Sequence, residues 1–155
     1  MPVVRSTASV AASPDEIWAL VSDPHHLTRW WPDVQRIEAV TADAFTQVMM
    51  TKKGRAMRVD FGVIVSEPPC IRSWELLPAG TPFERVVALW RTTVTLEPDP
   101  AGGTLVTIEE QQRMQGTLRL AGVLQRRASR RRLRDALAGL SDLYRDPDSG
   151  RDPVA

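Results

Sequence analysis

The sequence predicts one α+β domain: a curved antiparallel sheet of about seven strands, two short helices after its first strand, and a long C-terminal helix. Three observations carry this. Apolar and polar residues alternate between turn-forming clusters from about residue 35 to residue 114, the period of a half-buried strand. Capping and proline signals bound two brief helices after the first strand. The stretch from Thr117 to about Tyr144 contains no proline and is rich in Leu, Ala and Arg, all good helix formers.

At the start of the chain Val4, Ser6, Ala8 and Val10 fall at period two, marking a strand that ends near Ala11-Ala12. Ser13-Pro14-Asp15-Glu16 then offers an N-cap hydroxyl, a proline at the first helical position and acids that complement the exposed N–H groups of the first turn. The helix so started presents Ile17, Leu20 and Val21 on one face. Ser22-Asp23-Pro24 stops it, because proline cannot continue the hydrogen-bond ladder. A second short helix is predicted from His25 to Trp31, interrupted by Pro32. The strands that follow are predicted at Arg36–Val40, Phe45–Lys52, Met57–Val65, Ile71–Leu77, Arg85–Leu96 and Thr104–Met114. Gly-, Pro- and Asp-containing segments, among them Lys53-Gly54, Glu67-Pro68-Pro69 and Glu97–Gly103, separate them. Gly116 parts the sheet from the long helix. Residues 1–145 are thus expected to form the domain, and 146–155, polar and broken by prolines, a flexible tail.

With 155 residues, 43% hydrophobic and 25% charged, the chain has the composition of an ordinary globular domain with a single core. Twenty basic against 19 acidic residues leave a formal charge of +1, so no global field attracts nucleic acid or anionic lipid. The single cysteine, Cys70, excludes an intrachain disulfide and a cysteine-held zinc. No apolar stretch approaches the roughly 18 residues that span a bilayer, and the first residues do not read as a secretory signal. The expectation is a cytoplasmic protein without a transmembrane segment; its oligomeric state has no signature in the sequence.

Ala12-Ser13-Pro14-Asp15-Glu16-Ile17-Trp18, Trp30-Trp31-Pro32-Asp33-Val34, Gly103-Thr104 and the Arg/Leu-rich terminal helix occur within an order of one strand, two short helices, six strands and one long helix. In this, nearly the whole chain resembles the START-like or SRPBCC superfamily, particularly its bacterial polyketide cyclase/dehydrase branch. The resemblance implies a helix-grip fold with a hydrophobic cavity between sheet and terminal helix. It implies no single activity, since such folds serve as ligand carriers, ligand-gated regulators, cyclases and other enzymes.

Alternation places Met57, Val59, Phe61, Val63 and Val65 on one strand face, opposite Arg58, Asp60 and Ser66. Trp74 and Leu76, then Trp90, Thr92, Val94 and Leu96, give further inward stripes. The ligand-contact candidates are Trp30, Met49, Val59, Phe61, Trp74, Trp90, Thr92, Glu110, Gln112 and Leu124, with core packing as the competing role of each apolar member. Trp30 and Trp31 are candidates for a lid or for packing of the short helices. On the last strand, Val106 and Ile108 put Glu110, Gln112 and Met114 on the same side. An enclosed Glu110 would be neutralised or paired with a cation; it is the candidate catalytic acid or base, against a solvent-facing position near a bulge. Thr117, Ala121, Leu124, Ala128, Ala136, Leu140 and Leu143 form the helix stripe expected to face the sheet. Arg131 and Arg132 lie between its halves, either able to pair with Glu110 or to reach solvent.

Other signals are weaker. Adjacent His25 and His26 lack metal-site spacing and show no carboxylate partner in the sequence, and Cys70 reads as a buried structural thiol. No metal and no cofactor is expected, since phosphate-binding and dinucleotide fingerprints are missing. Arg126, Arg127, Arg130, Arg131 and Arg132, extended by Arg119 and Arg134, form a basic run that reads first as a solvated helix face; nucleic-acid binding is not expected without an aromatic stacking signature. Three functions follow. One is reversible binding of a hydrophobic small molecule of the lipid, polyketide or polycyclic aromatic class. Another is a cofactor-independent cyclase, aromatase, dehydratase or related lyase using Glu110. The third is an anionic-surface or protein-interaction module using the Arg-rich helix.

Overall fold

In the computed structural model, which describes residues 3–51, 53–78, 81–115 and 122–145, seven strands form one antiparallel sheet. The elements are β1 (Val3–Val10), α1 (Pro14–Val21), a 3-10 turn (Pro24–His26) leading into α2 (Leu27–Trp30), β2 (Val34–Glu38), β3 (Ala44–Met50), β4 (Ala56–Glu67), β5 (Ile71–Leu76), β6 (Val87–Pro98), β7 (Thr104–Met114) and α3 (Gly122–Leu143). The spatial order is β1-β7-β6-β5-β4-β3-β2, a meander whose last strand returns to pair with the first. The α+β helix-grip architecture is therefore present. A 3-10 turn at Pro82–Arg85 replaces the first residue of the strand expected from Arg85. The expected helix start at Thr117–Ala121, Gly116 and the tail 146–155 lie outside the described residues.

Local chemistry accounts for the element ends. The Ser13 side chain accepts from the Glu16 N–H while the Glu16 carboxylate accepts from the Ser13 N–H, a complete capping box. The hairpin between β6 and β7 closes on Gly103, at φ +79°, where an added Cβ would lie 2.3 Å from the Val10 carbonyl oxygen; only glycine fits. Beside it the buried Thr104 hydroxyl donates to the Ala12 carbonyl at 2.7 Å, fastening the end of β1 to the start of β7.

The inner face of the sheet carries the core. Val10, Ile17, Val94, Val106, Ile108, Leu133, Ala136 and Leu140 are fully buried, with α3 packed across β1, β7 and α2. Within α3 the buried residues are Ser129, Leu133, Ala136, Leu137 and Leu140. That corrects the expected stripe: Ala128 faces solvent and Leu143 is exposed, because the helix is rolled so that Ser129, one residue and about 100° further round, points inward. Gly139 lets α3 approach α2 closely; a Cβ there would sit 2.6 Å from the Trp30 carbonyl oxygen. The outer face is solvated and laced with ion pairs, Arg36 and Arg58 to Glu38, Arg91 to Glu75 and Arg5 to Glu109.

A bulge in β4 corrects a second expectation. Pairing with β5 shifts between Val63↔Trp74 and Val65↔Ser73, so Ile64 is an extra residue and is 46% exposed. Inward parity flips there. Val65 joins Ser73 and Thr93 on the outer face, and Ser66 turns inward opposite Arg72. The face expected to hold Met57 to Val65 therefore ends at Val63.

Candidate functional site

The inner sheet face bears a chain of aromatic contacts. Trp30 meets Trp31 edge-on with centroids 5.3 Å apart, Trp31 meets Trp74 at 5.8 Å, Trp74 meets Phe45 at 6.2 Å, Phe45 stacks on Phe61 at 5.6 Å, and Phe61 meets Trp90 at 5.5 Å. Each pair adds about 0.5–1.5 kcal/mol beyond the area it buries. The chain runs across β3, β4, β5 and β6, so it is built by register: Phe45 opposite Phe61, and Val63 opposite Trp74. Of the sequence-predicted wall, Val59, Phe61 and Trp74 are buried, while Met49 and Trp90 pack against the core with part of their surface accessible. Trp30 and Trp31 are 3% and 6% exposed and belong to this packed cluster. Leu124 lies in α3, but its side chain is outside what is described.

The chain ends in a polar corner. Arg132 of α3 stacks over the Trp90 ring, 5.3 Å from its centroid, and its Nη1 donates to Glu110 Oε1 at 2.6 Å. Ser129 Oγ donates to the same oxygen at 2.8 Å. Glu110 is 1% exposed, which overturns the solvent-facing alternative, and of the two ways to bury an acid it is paired with a cation. Arg132, with its side chain 21% exposed, is the partner; Arg131 faces solvent. Thr92 stands opposite Glu110 on β6 and is buried, and Gln112, opposite Trp90, accepts from Gln125 Nε2.

Among the described residues, two buried atoms of this corner lack a hydrogen-bond partner, Trp90 Nε1, a donor, and Glu110 Oε2, an acceptor, as does Trp30 Nε1 at the other end of the aromatic chain. Such an atom costs about 1–3 kcal/mol when left dry, so this pair marks where a polar group is wanted. Outside the corner a cleft of about 380 Å³ between α3 and the turn after α2 is lined by Pro32, Asp33, Ala128, Arg131, Arg132 and Asp135. Arg132 thus connects the interior to an open concavity.

Besides Ser129, two inward polar residues of the sheet escape the sequence reading. Gln47 on β3 is 2% exposed and sits opposite Val59; the parity that selects Met49 also selects it. Arg72 on β5 is 7% exposed, in step with Trp74. Its Nη1 donates to Ser66 Oγ at 3.1 Å, a contact the bulge makes possible. Burial pulls the Arg72 guanidinium below its ordinary pKa, partly opposed by the Asp23 charge.

The remaining candidates separate from the corner. Asp23 caps the 3-10 turn and takes His25 Nδ1 at 2.8 Å, with His26 Nε2 3.8 Å away, so the histidines do have a carboxylate partner. Burial works against ionisation of Asp23, but the backbone and ring hydrogen bonds of His25 and the nearby imidazoles outweigh it and hold the carboxyl below its ordinary value. Cys70 is exposed, correcting the buried-thiol expectation; it follows two prolines at a strand-reversing turn. Among the described residues, no group of three or more His, Cys, Asp or Glu is placed to hold a metal, and no helix is long and apolar enough to cross a membrane.

Comparison with known proteins places this geometry in context. The family described as "Polyketide cyclase / dehydrase and lipid transport" matches residues 1–145. A search of curated proteins finds no match. Among solved structures, XoxI from Bacillus cereus superposes with a TM-score of 0.74 at 13% identity, covering 96% of this chain and 99% of that one. A START superfamily protein from Mycobacterium smegmatis gives 0.70 at 16% identity, covering 91% and 97%. The di-domain ARO/CYC StfQ from the steffimycin biosynthetic pathway gives 0.70 at 14% identity, covering 92% of this chain and 50% of that one. At these identities the likeness is one of fold.

Proposed function

Since this chain belongs to the polyketide cyclase/dehydrase and lipid transport family, we propose that it binds a hydrophobic small molecule of the lipid, polyketide or polycyclic aromatic class. The ligand lies against the inner face of the sheet, beneath α3. What supports the reading is that a buried donor, Trp90 Nε1, and a buried acceptor, Glu110 Oε2, both unsatisfied among the described residues, lie at the end of an aromatic wall. A largely apolar molecule with one hydroxyl and one carbonyl or ether oxygen would satisfy both atoms while packing against the accessible parts of Trp90 and Met49. Extraction and mass spectrometry of molecules co-purifying with the full chain test this, followed by titration of the recovered class against tryptophan fluorescence. Saturable micromolar-or-better binding, weakened in Glu110→Gln, supports the proposal. Absence of both a co-purified apolar compound and any saturable binding sinks it.

The free Glu110 oxygen favours a second reading, a cofactor-independent cyclase, aromatase, dehydratase or related lyase. Glu110 Oε2 would accept a proton from the bound skeleton while Ser129 and Arg132 hold the other oxygen. Turnover of a polyketide panel should fall about 10²-fold or more in Glu110→Gln; unchanged turnover removes Glu110 from the chemistry and leaves binding alone.

A further inference from the structure

We infer that the solvent face of α3 docks on an anionic phospholipid surface. Arg126, Arg127, Arg130, Arg131 and Arg134 are all exposed. At about 100° per residue they share a single stripe roughly 140° wide, bordering the face that buries Ser129, Leu133, Ala136 and Leu140, with the buried Leu137 falling within its near edge. None of the five makes an ion pair among the described residues, whereas Arg5, Arg36, Arg58 and Arg91 on the sheet do. With a formal charge of only +1 on the whole chain, the excess on this face is balanced elsewhere, so an attracting surface meets the protein in one orientation. A well-mixed helix face intersperses both signs, whereas the charges within this stripe are all basic, with Asp135 and Asp142 beyond its far edge.

The chemistry selects phosphate esters. A guanidinium presents paired N–H donors that match two phosphate oxygens, and several in a row suit a plane of headgroups better than one small anion. Single-stranded nucleic acid wants aromatic platforms among the basic residues, and here Trp30, Trp31, Phe45, Phe61 and Trp74 are buried. The stripe lies on the helix that also supplies Arg132 and Ser129 to the polar corner. Docking would therefore set that corner about one helix diameter, roughly 10 Å, behind the lipid surface, a placement that does not depend on which ligand the corner takes.

The test is sedimentation of the full chain with phosphatidylcholine vesicles, with and without phosphatidylglycerol. At an ionic strength of about 0.01 M, where screening extends to about 30 Å, binding to the anionic vesicles is expected; at about 1 M, where it contracts to about 3 Å, binding is lost. The triple variant Arg126→Gln/Arg127→Gln/Arg130→Gln should reduce partitioning by about 10²-fold, since each cation near such a surface contributes about fivefold. A control removing three exposed cations elsewhere, Arg55→Gln/Arg85→Gln/Arg113→Gln, should reduce it by less than a tenth as much, and circular dichroism of both verifies folding. Equal binding to neutral and anionic vesicles overturns the inference. So does equal loss in both triples, or displacement from vesicles by duplex DNA or RNA at lower phosphate concentration than the lipid.

Discussion

Glu110 has one oxygen held by Ser129 and Arg132 and one held by nothing described, and this inequality separates a structural role from a binding one. Replacing Glu110 by Gln leaves Arg132 without its charge partner, so chemical denaturation should report a loss of about 1–3 kcal/mol whatever else the residue does. Trp90→Phe behaves differently. It keeps an aromatic ring against Phe61 and under Arg132 while deleting the unsatisfied N–H, so stability should change by less than about 1 kcal/mol while ligand affinity falls about five- to tenfold. Equal losses in stability and affinity would assign Trp90 to packing only. Parity through Val106 and Ile108 sufficed to turn Glu110 inward. The choice between Arg131 and Arg132 did not follow, because they differ by one step of about 100° and the roll of α3 is decided by its contacts with β1 and α2. Gln47 and Arg72 were equally legible by parity, but polarity argued for the opposite face.

Among the elements, α1 and β7 were legible at both ends because capping chemistry and turn residues act locally. Ser13→Ala removes the acceptor that holds the Glu16 N–H and should lower stability by about 1 kcal/mol, read as a lower denaturation midpoint with an unchanged slope. The α2–α3 contact sets two effects against each other. Alanine at 139 gains about 1 kcal/mol of helix propensity, but its Cβ would meet the Trp30 carbonyl oxygen at 2.6 Å, and backbone cannot yield as a side-chain tip can. The clash should win, making Gly139→Ala net destabilising by about 1–2 kcal/mol, a fall of roughly 2–8 °C in Tm. The bulge at Ile64 had no such signal, since an apolar insertion among apolar neighbours leaves the pattern readable in either register.

For the molecule as a whole, stability should fall toward both ends of the pH scale for identifiable reasons. Asp23, Glu38 and Asp99 all have lowered folded-state pKa values, through the net effect described for Asp23, the Arg36 hydrogen bond to Glu38, and the Ser9 and Ala101 hydrogen bonds to Asp99. What they contribute is complete above the unfolded carboxylate range near pH 4 and is lost as pH drops through the lowered values. Tyr144 is raised, chiefly by burial and further by Glu16, so its share is complete below about pH 10 and disappears as pH climbs through the raised value. Thermal melts across pH check this: Asp99→Asn should flatten the acid limb and Tyr144→Phe the alkaline one, neither affecting the other. The sheet order has a kinetic counterpart. β1 pairs only with β7, and the Arg5–Glu109 and Ala12–Thr104 contacts that join them close loops of 104 and 92 residues. Such closure is slow to form, and a ribosome delivers β7 after every other strand of the sheet. Until β7 emerges the nascent chain therefore carries Val3–Val10 as an unmatched ribbon, the kind of open edge that templates pairing with other chains.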